Sequence, residues 1–127
     1  MLMAEGYSPV TEFTLSNGRR LDVAALNATG AILGVEIKVS LSDLRGDRKW
    51  QDCLGFCDLF YFAVPPEFPQ AEIPSSAGLI VADSYGGAII RPANLESLHA
   101  SRRRAVMLRC AQCAADRLAR LRDPNLV

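Results

Sequence analysis

Two runs decide the fold. They are Arg20-Leu21-Asp22-Val23-Ala24-Ala25-Leu26 and Ala31-Ile32-Leu33-Gly34-Val35-Glu36-Ile37-Lys38-Val39, joined by Asn27-Ala28-Thr29-Gly30. Both are apolar with single charges set into them, and the second is rich in β-branched residues, which suit strands. A three-residue loop with glycine at the left-handed position is a common hairpin closure. Asn27 then pairs with Ala31, and this register sets Asp22 directly opposite Glu36. Directly opposed residues share a face, with Cβ atoms about 5 Å apart. Lys38, two residues past Glu36, projects from the same face, while Ile37 and Val39 are assigned to the opposite, core face.

That pattern has chemical content. Opposed carboxylates repel unless something neutralises them. A divalent cation does so, and carboxylate oxygens are the ligands Mg²⁺ or Mn²⁺ takes. An ammonium alongside can orient a metal-bound water or stabilise charge developing on a phosphate. The competing reading is an ion pair, with Lys38 neutralising Asp22 or Glu36 on a solvated face.

Working outward, Val10 to Leu15 alternates as a strand, followed by the turn Ser16-Asn17-Gly18. Residues 1–6 read as the tail of a helix ended by Gly6. Ser42 is placed as the cap of a helix running to about Cys57. Leu59 to Val64 is a continuous apolar run, hence a buried strand, and the preceding helix serves as its parallel crossover. Residues 65–77 contain four prolines and read as a loop. Gly78 to Asp83 and Ala88 to Arg91 form a hairpin about Ser84-Tyr85-Gly86-Gly87. Residues 96–122 form a long helix with Leu108, Ala111, Ala115, Leu118 and Leu121 as its apolar stripe. The fold class is therefore α/β (α+β), a mixed central sheet flanked by helices, in one domain over residues 1–127.

Half of the 127 residues are hydrophobic and net charge is zero, but the charge is unevenly spread. Residues 1–90 hold six Lys or Arg against eleven Asp or Glu, a net of −5; residues 91–127 hold eight Arg against three acids, a net of +5. Such a division suits metal cations at one place and a polyanion at another; a solvated Arg-rich helix is the alternative. No apolar run reaches the roughly 18 residues of a membrane span, and no signal-peptide pattern opens the chain, so a cytoplasmic location is expected. Cys53 and Cys57, and Cys110 and Cys113, sit at helical spacing within apolar patterns, as buried thiols do. Four thiolates holding zinc or an iron–sulfur cluster is the alternative use.

Asp22, thirteen intervening residues and Glu36-Ile37-Lys38 resemble the PD-(D/E)xK nuclease motif. The strand–strand–helix–strand order resembles the restriction endonuclease-like core. More narrowly, Arg20 to Leu26, Val35 to Ser40, Asp47-Arg48-Lys49-Trp50, Cys57-Asp58, Phe62 to Pro66 and Gly78 to Asp83 resemble the MmcB-related bacterial DNA repair proteins. The resemblance spans roughly residues 7–122. It implies a DNA repair role, with Asp22 and Glu36 as ligands of Mg²⁺ or Mn²⁺, the Ile37 carbonyl as a third and Lys38 as the catalytic lysine. Glu12, on the neighbouring strand, would be an accessory ligand or base; a surface carboxylate is the other reading.

DNA is the expected partner. Arg48 and Lys49, after the active strand, and Arg102-Arg103-Arg104, early in the last helix, are the expected phosphate contacts. Asp47 and Trp50 would also face the site, Trp50 stacking a base or capping the core. A homodimer is the analogy from other small DNA-binding domains.

Overall fold

The computed structural model describes residues 1–125. Among them six strands form one sheet: β1 (Ser8–Thr14), β2 (Arg20–Leu26), β3 (Ile32–Ile37), β4 (Leu59–Val64), β5 (Gly78–Asp83) and β6 (Gly86–Arg91). They lie side by side in chain order. β1, β2 and β3 are antiparallel neighbours, β3–β4 and β4–β5 are parallel, and β5–β6 closes as an antiparallel hairpin. Two α-helices, α1 (Leu41–Gly46) and α2 (Ala100–Arg122), complete the frame, with 3-10 turns at Met3–Glu5, Trp50–Phe56 and Gln70–Glu72. This is the mixed α+β sheet expected, with the connection from β3 to β4 supplying the parallel crossover.

The hairpin register is the one the turn dictates. Val23 pairs with Val35 and Leu26 with Ile32. Asn27 Oδ1 accepts the N–H of Thr29 and of Ala31, and Gly30 takes φ +85°. Gly6 likewise adopts φ +85° and ends the first turn, which is a 3-10 turn rather than a helix.

Three expectations are corrected. The helix drawn from Ser42 to Cys57 is broken: α1 ends at Gly46, Asp47 is extended, and a 3-10 turn carries Trp50 to Phe56. Its cap is Ser40, whose Oγ accepts the Asp43 N–H while Asp43 returns a bond to the Val39 N–H. That reciprocal pair satisfies two donors at the helix start. The last helix begins at Ala100 rather than 96, because Glu96 and Leu98 donate their N–H groups to Asp58.

The third correction concerns which way α2 and the sheet face. α2 buries Val106 and Cys110, with Cys113 partly covered, and leaves Leu108, Leu118 and Leu121 exposed. Its rotation is set by polar anchors: Arg103 on Asp58, Arg109 on the Thr14 carbonyl, and Arg117 on the carbonyls of Thr11 and Glu12. On β3, Ile37 and Val39 are 48% and 69% exposed, whereas Glu36 and Lys38 are only 7% and 6% exposed. The helical layer lies over the face that carries Phe60 and Phe62, and Glu36 stands beside Phe62 in the parallel register. Alternation tells which residues share a face; it does not tell which face is covered.

A tight contact on the other face gives a testable consequence. A Cβ built on Gly78 would lie 2.5 Å from two Tyr61 ring carbons and 2.8 Å from the Ala93 nitrogen. Tyr61 is buried and Ala93 N is backbone, so neither yields cheaply. Gly78→Ala is expected to destabilise the fold by about 2 kcal/mol, read as a lowered urea midpoint with unchanged slope.

Candidate functional site

The site forms where the β2–β3 ladder ends. The last pair is Val23 with Val35; one step on, Asp22 stands opposite Glu36, and the two strands no longer bond through their backbones. Instead Asp22 Oδ2 accepts the Ile37 N–H at 2.7 Å. A side chain thus replaces a backbone carbonyl, and this holds the Asp22 carboxylate against the strand bearing Glu36. In an antiparallel pair, one residue's N–H and C=O turn to the same neighbour. The Ile37 carbonyl therefore faces the side on which Asp22 sits. Lys38 turns its own N–H the other way, to the Ala63 carbonyl of β4.

Glu36 is buried beside a second carboxylate. Burial first, and the Asp22 charge second, push its pKa up to about 7; Lys38 offsets only part of this. Cys53 sits over it, with Sγ 3.9 Å from Oε1. Burial, then the Glu36 charge, push the Cys53 thiol up to about 11, so it stays protonated near neutrality.

Lys38 does not pair with Asp22 or Glu36. Its Nζ donates to Asp47 Oδ2 at 2.9 Å. The other Asp47 oxygen accepts Arg19 at 3.2 Å and the Lys49 N–H at 3.1 Å. Burial alone would raise the Asp47 pKa, but the Lys38 hydrogen bond and these further partners outweigh it and hold the group below its ordinary value. Among the described residues, Arg19 Nε is the one buried side-chain nitrogen or oxygen without a hydrogen-bond partner. The solvated ion pair considered from sequence does not form, since both Glu36 and Lys38 are buried.

Other candidates separate. Glu12 has φ +49°, which breaks the alternation of β1 so that Val10 and Phe13, three residues apart, both pack into the same core. Its side chain lines a groove with Arg109, Arg117 and Arg120 of α2 rather than bonding to Asp22 or Glu36. Trp50 caps the core, stacked on Phe60 at 5.6 Å and edge-on to Phe62 at 5.1 Å. Arg48, Lys49 and Arg104 are exposed. Arg102 lies over the Phe56 ring at 4.3 Å. Arg103, expected on phosphate, is instead spent on Asp58, with bonds of 2.5 and 2.7 Å to its two oxygens. The Asp58 buttress was not foreseen: at 2% exposure, a buried carboxylate also accepts the N–H groups of Ile32 and Leu98. Its only sequence signal was a lone acid at the head of an apolar strand. The four cysteines are unpaired thiols, and among the described residues no group of three or more His, Cys, Asp or Glu side chains is arranged to hold a metal. The proposed oxygen set differs in kind, having two carboxylates and a backbone carbonyl.

The model of the MmcB-like DNA repair proteins matches residues 1–125. The chain belongs to this family. A protein of unknown function from Silicibacter pomeroyi is 41% identical to this MmcB-like chain and superposes with a TM-score of 0.93, over 97% of this chain and 84% of its own. A repair endonuclease from Pyrococcus abyssi is 20% identical with a TM-score of 0.39, over 56% of this chain and 34% of its own. Among curated proteins, none matches. No helix among the described residues is long and apolar enough to cross a membrane.

Proposed function

We propose that this MmcB-like protein is a metal-dependent nuclease acting on DNA during repair, with Asp22, Glu36 and Lys38 as its catalytic set. The observation that carries the reading is the buried Glu36 carboxylate set beside the half-buried carboxylate of Asp22. A protein does not gain stability by burying one acid beside another, and burial first and Asp22 second push the Glu36 pKa up to about 7. Such a pair fits a divalent cation, which replaces the proton. Asp22, Glu36 and the Ile37 carbonyl would hold Mg²⁺ or Mn²⁺, and the bound ion would supply an activated water and a Lewis acid for phosphodiester hydrolysis.

The chain's own groups do the rest. Asp22 is fixed by the Ile37 N–H, so its oxygens are oriented before any ligand arrives. Lys38 brings an ammonium to the same face, where it can donate to a phosphate oxygen as negative charge develops. Phe62 stands beside Glu36 in the β3–β4 register, with Trp50 edge-on to it, so apolar rings adjoin the buried carboxylate. Arg48, Lys49 and Arg104, exposed on the surface, supply sequence-independent phosphate contacts.

The test is cleavage of single-stranded and branched DNA with Mg²⁺ or Mn²⁺, and with chelator. Cleavage should require the metal. Lys38→Met, which keeps the side-chain volume, should lower the rate by about a hundredfold while the thermal transition stays cooperative and DNA binding persists. DNA binding with no metal-dependent cleavage by the wild type would instead make the chain a binding module on this fold.

A further inference from the structure

We infer that Asp47 is a positioning residue that keeps Lys38 off Glu36 and so leaves the carboxylate pair open to a cation; the inference rests on the metal-site reading above. Lys38 and Glu36 share a face two residues apart, and a buried ammonium beside a buried carboxylate has a strong tendency to close on it. Had it done so, the lysine would occupy the place of the cation. Instead, Nζ is 2.9 Å from Asp47, and among the described residues no ion pair joins Lys38 to Glu36 within 4 Å.

Asp47 is built to do this. Its two oxygens are divided: Oδ1 is taken by Arg19 and the Lys49 N–H, and Oδ2 is left for Lys38. Arg19 comes from the β1–β2 turn, whose shape is set by the bond from the Leu15 N–H to its own carbonyl. Two distant side chains and one local N–H therefore fix one carboxylate. α1 stops after six residues at Gly46, a poor helix residue, and Asp47 turns extended, at φ −93° and ψ 95°. Arg19 also lies beside the Cys53 thiol, next to Glu36.

The consequence is specific. In Asp47→Asn the lysine loses its counter-charge, while the amide can still accept from Arg19 and the Lys49 N–H. Lys38 should then swing to Glu36. Two measurements decide this. In a metal-free crystal structure of Asp47→Asn, Lys38 Nζ should lie within ion-pair distance of Glu36; Nζ remaining beside residue 47 overturns the inference. By calorimetry, Mn²⁺ affinity should fall about tenfold in Asp47→Asn. Adding Lys38→Met should then raise affinity by a larger factor in the Asp47→Asn background than in the wild type. Equal factors in both backgrounds would mean that Asp47 acts only through its charge, and that outcome also overturns the inference. A wild type that takes up no Mn²⁺ removes the metal reading, but the position of Lys38 in the Asp47→Asn crystal still decides whether Asp47 holds it.

Discussion

Asp58→Ala should cost about 3–5 kcal/mol of stability, the usual loss when one partner of a buried ion pair is removed. Asp58 joins three parts of the chain. It accepts the Ile32 N–H at the start of β3, the Leu98 N–H in the segment before α2, and both guanidinium nitrogens of Arg103. Removing it strands two backbone donors and one charge, and the pairing that sets the rotation of α2 goes with it. Asp58→Asn keeps an acceptor for the N–H groups but not the charge, so its loss should be about half as large. The pH dependence follows from the direction of the shift. Burial would raise the Asp58 pKa, but Arg103 and the two N–H groups outweigh it and hold the carboxyl below 3.8. The stability it supplies is therefore complete above about pH 4 and is lost as pH falls through the lower, folded value. Urea denaturation from pH 2 to 7 checks both points. The gap between Asp58→Ala and wild type should narrow at the acid end to about that between Asp58→Ala and Asp58→Asn, because a protonated carboxyl still accepts the N–H groups but carries no charge for Arg103; a constant gap across that range would mean that the ion pair is not the source.

How much of this was legible in the sequence follows from the range over which each feature is set. The β2–β3 hairpin is local. Its turn residues fix the register, and the register alone brings Asp22 to Glu36. The parallel place of β4 follows from an apolar run that needs cover on both faces. Features that depend on distant partners were not legible. Arg19 reaches Asp47 across 28 residues, and Arg117 reaches the Glu12 carbonyl across 105. Nothing near either residue distinguishes such an arginine from one held in solvent for phosphate, which is why Arg103 was misassigned. The break of the crossover helix is partly local, since α1 ends on Gly46, a poor helix residue, and partly distant, since Asp47 then pairs with Arg19 and Lys38. The apolar character of Ile37 and Val39 pointed to burial, yet the helical layer covers the charged side of β3.

Glu36→Gln should separate function from stability most sharply. The carboxylate is proposed to hold the cation, so metal-dependent cleavage should fall by about a thousandfold. Without metal, the same change should stabilise the fold at alkaline pH. Folding raises the Glu36 pKa from 4.5 to about 7. The folded state thus binds a proton that the unfolded chain releases between those values. Stability is greatest below about pH 4.5, declines as pH rises towards 7, and is flat above. At one pKa unit per 1.36 kcal/mol, the decline is roughly 3 kcal/mol. Glutamine is neutral throughout and has nearly the same shape. Glu36→Gln should therefore lack this decline and exceed the metal-free wild type by up to that amount at pH 8. Saturating Mn²⁺ should raise the wild-type transition and leave that of the variant nearly unmoved, because only a ligand that binds the folded state can stabilise it. Thermal scans at pH 4.5 and pH 8, with Mn²⁺ and with chelator, give all four values. If the variant is no more stable than the wild type at pH 8 in chelator, Glu36 is not strained in the folded state, and the argument that this pair of acids exists to receive a cation loses its physical basis.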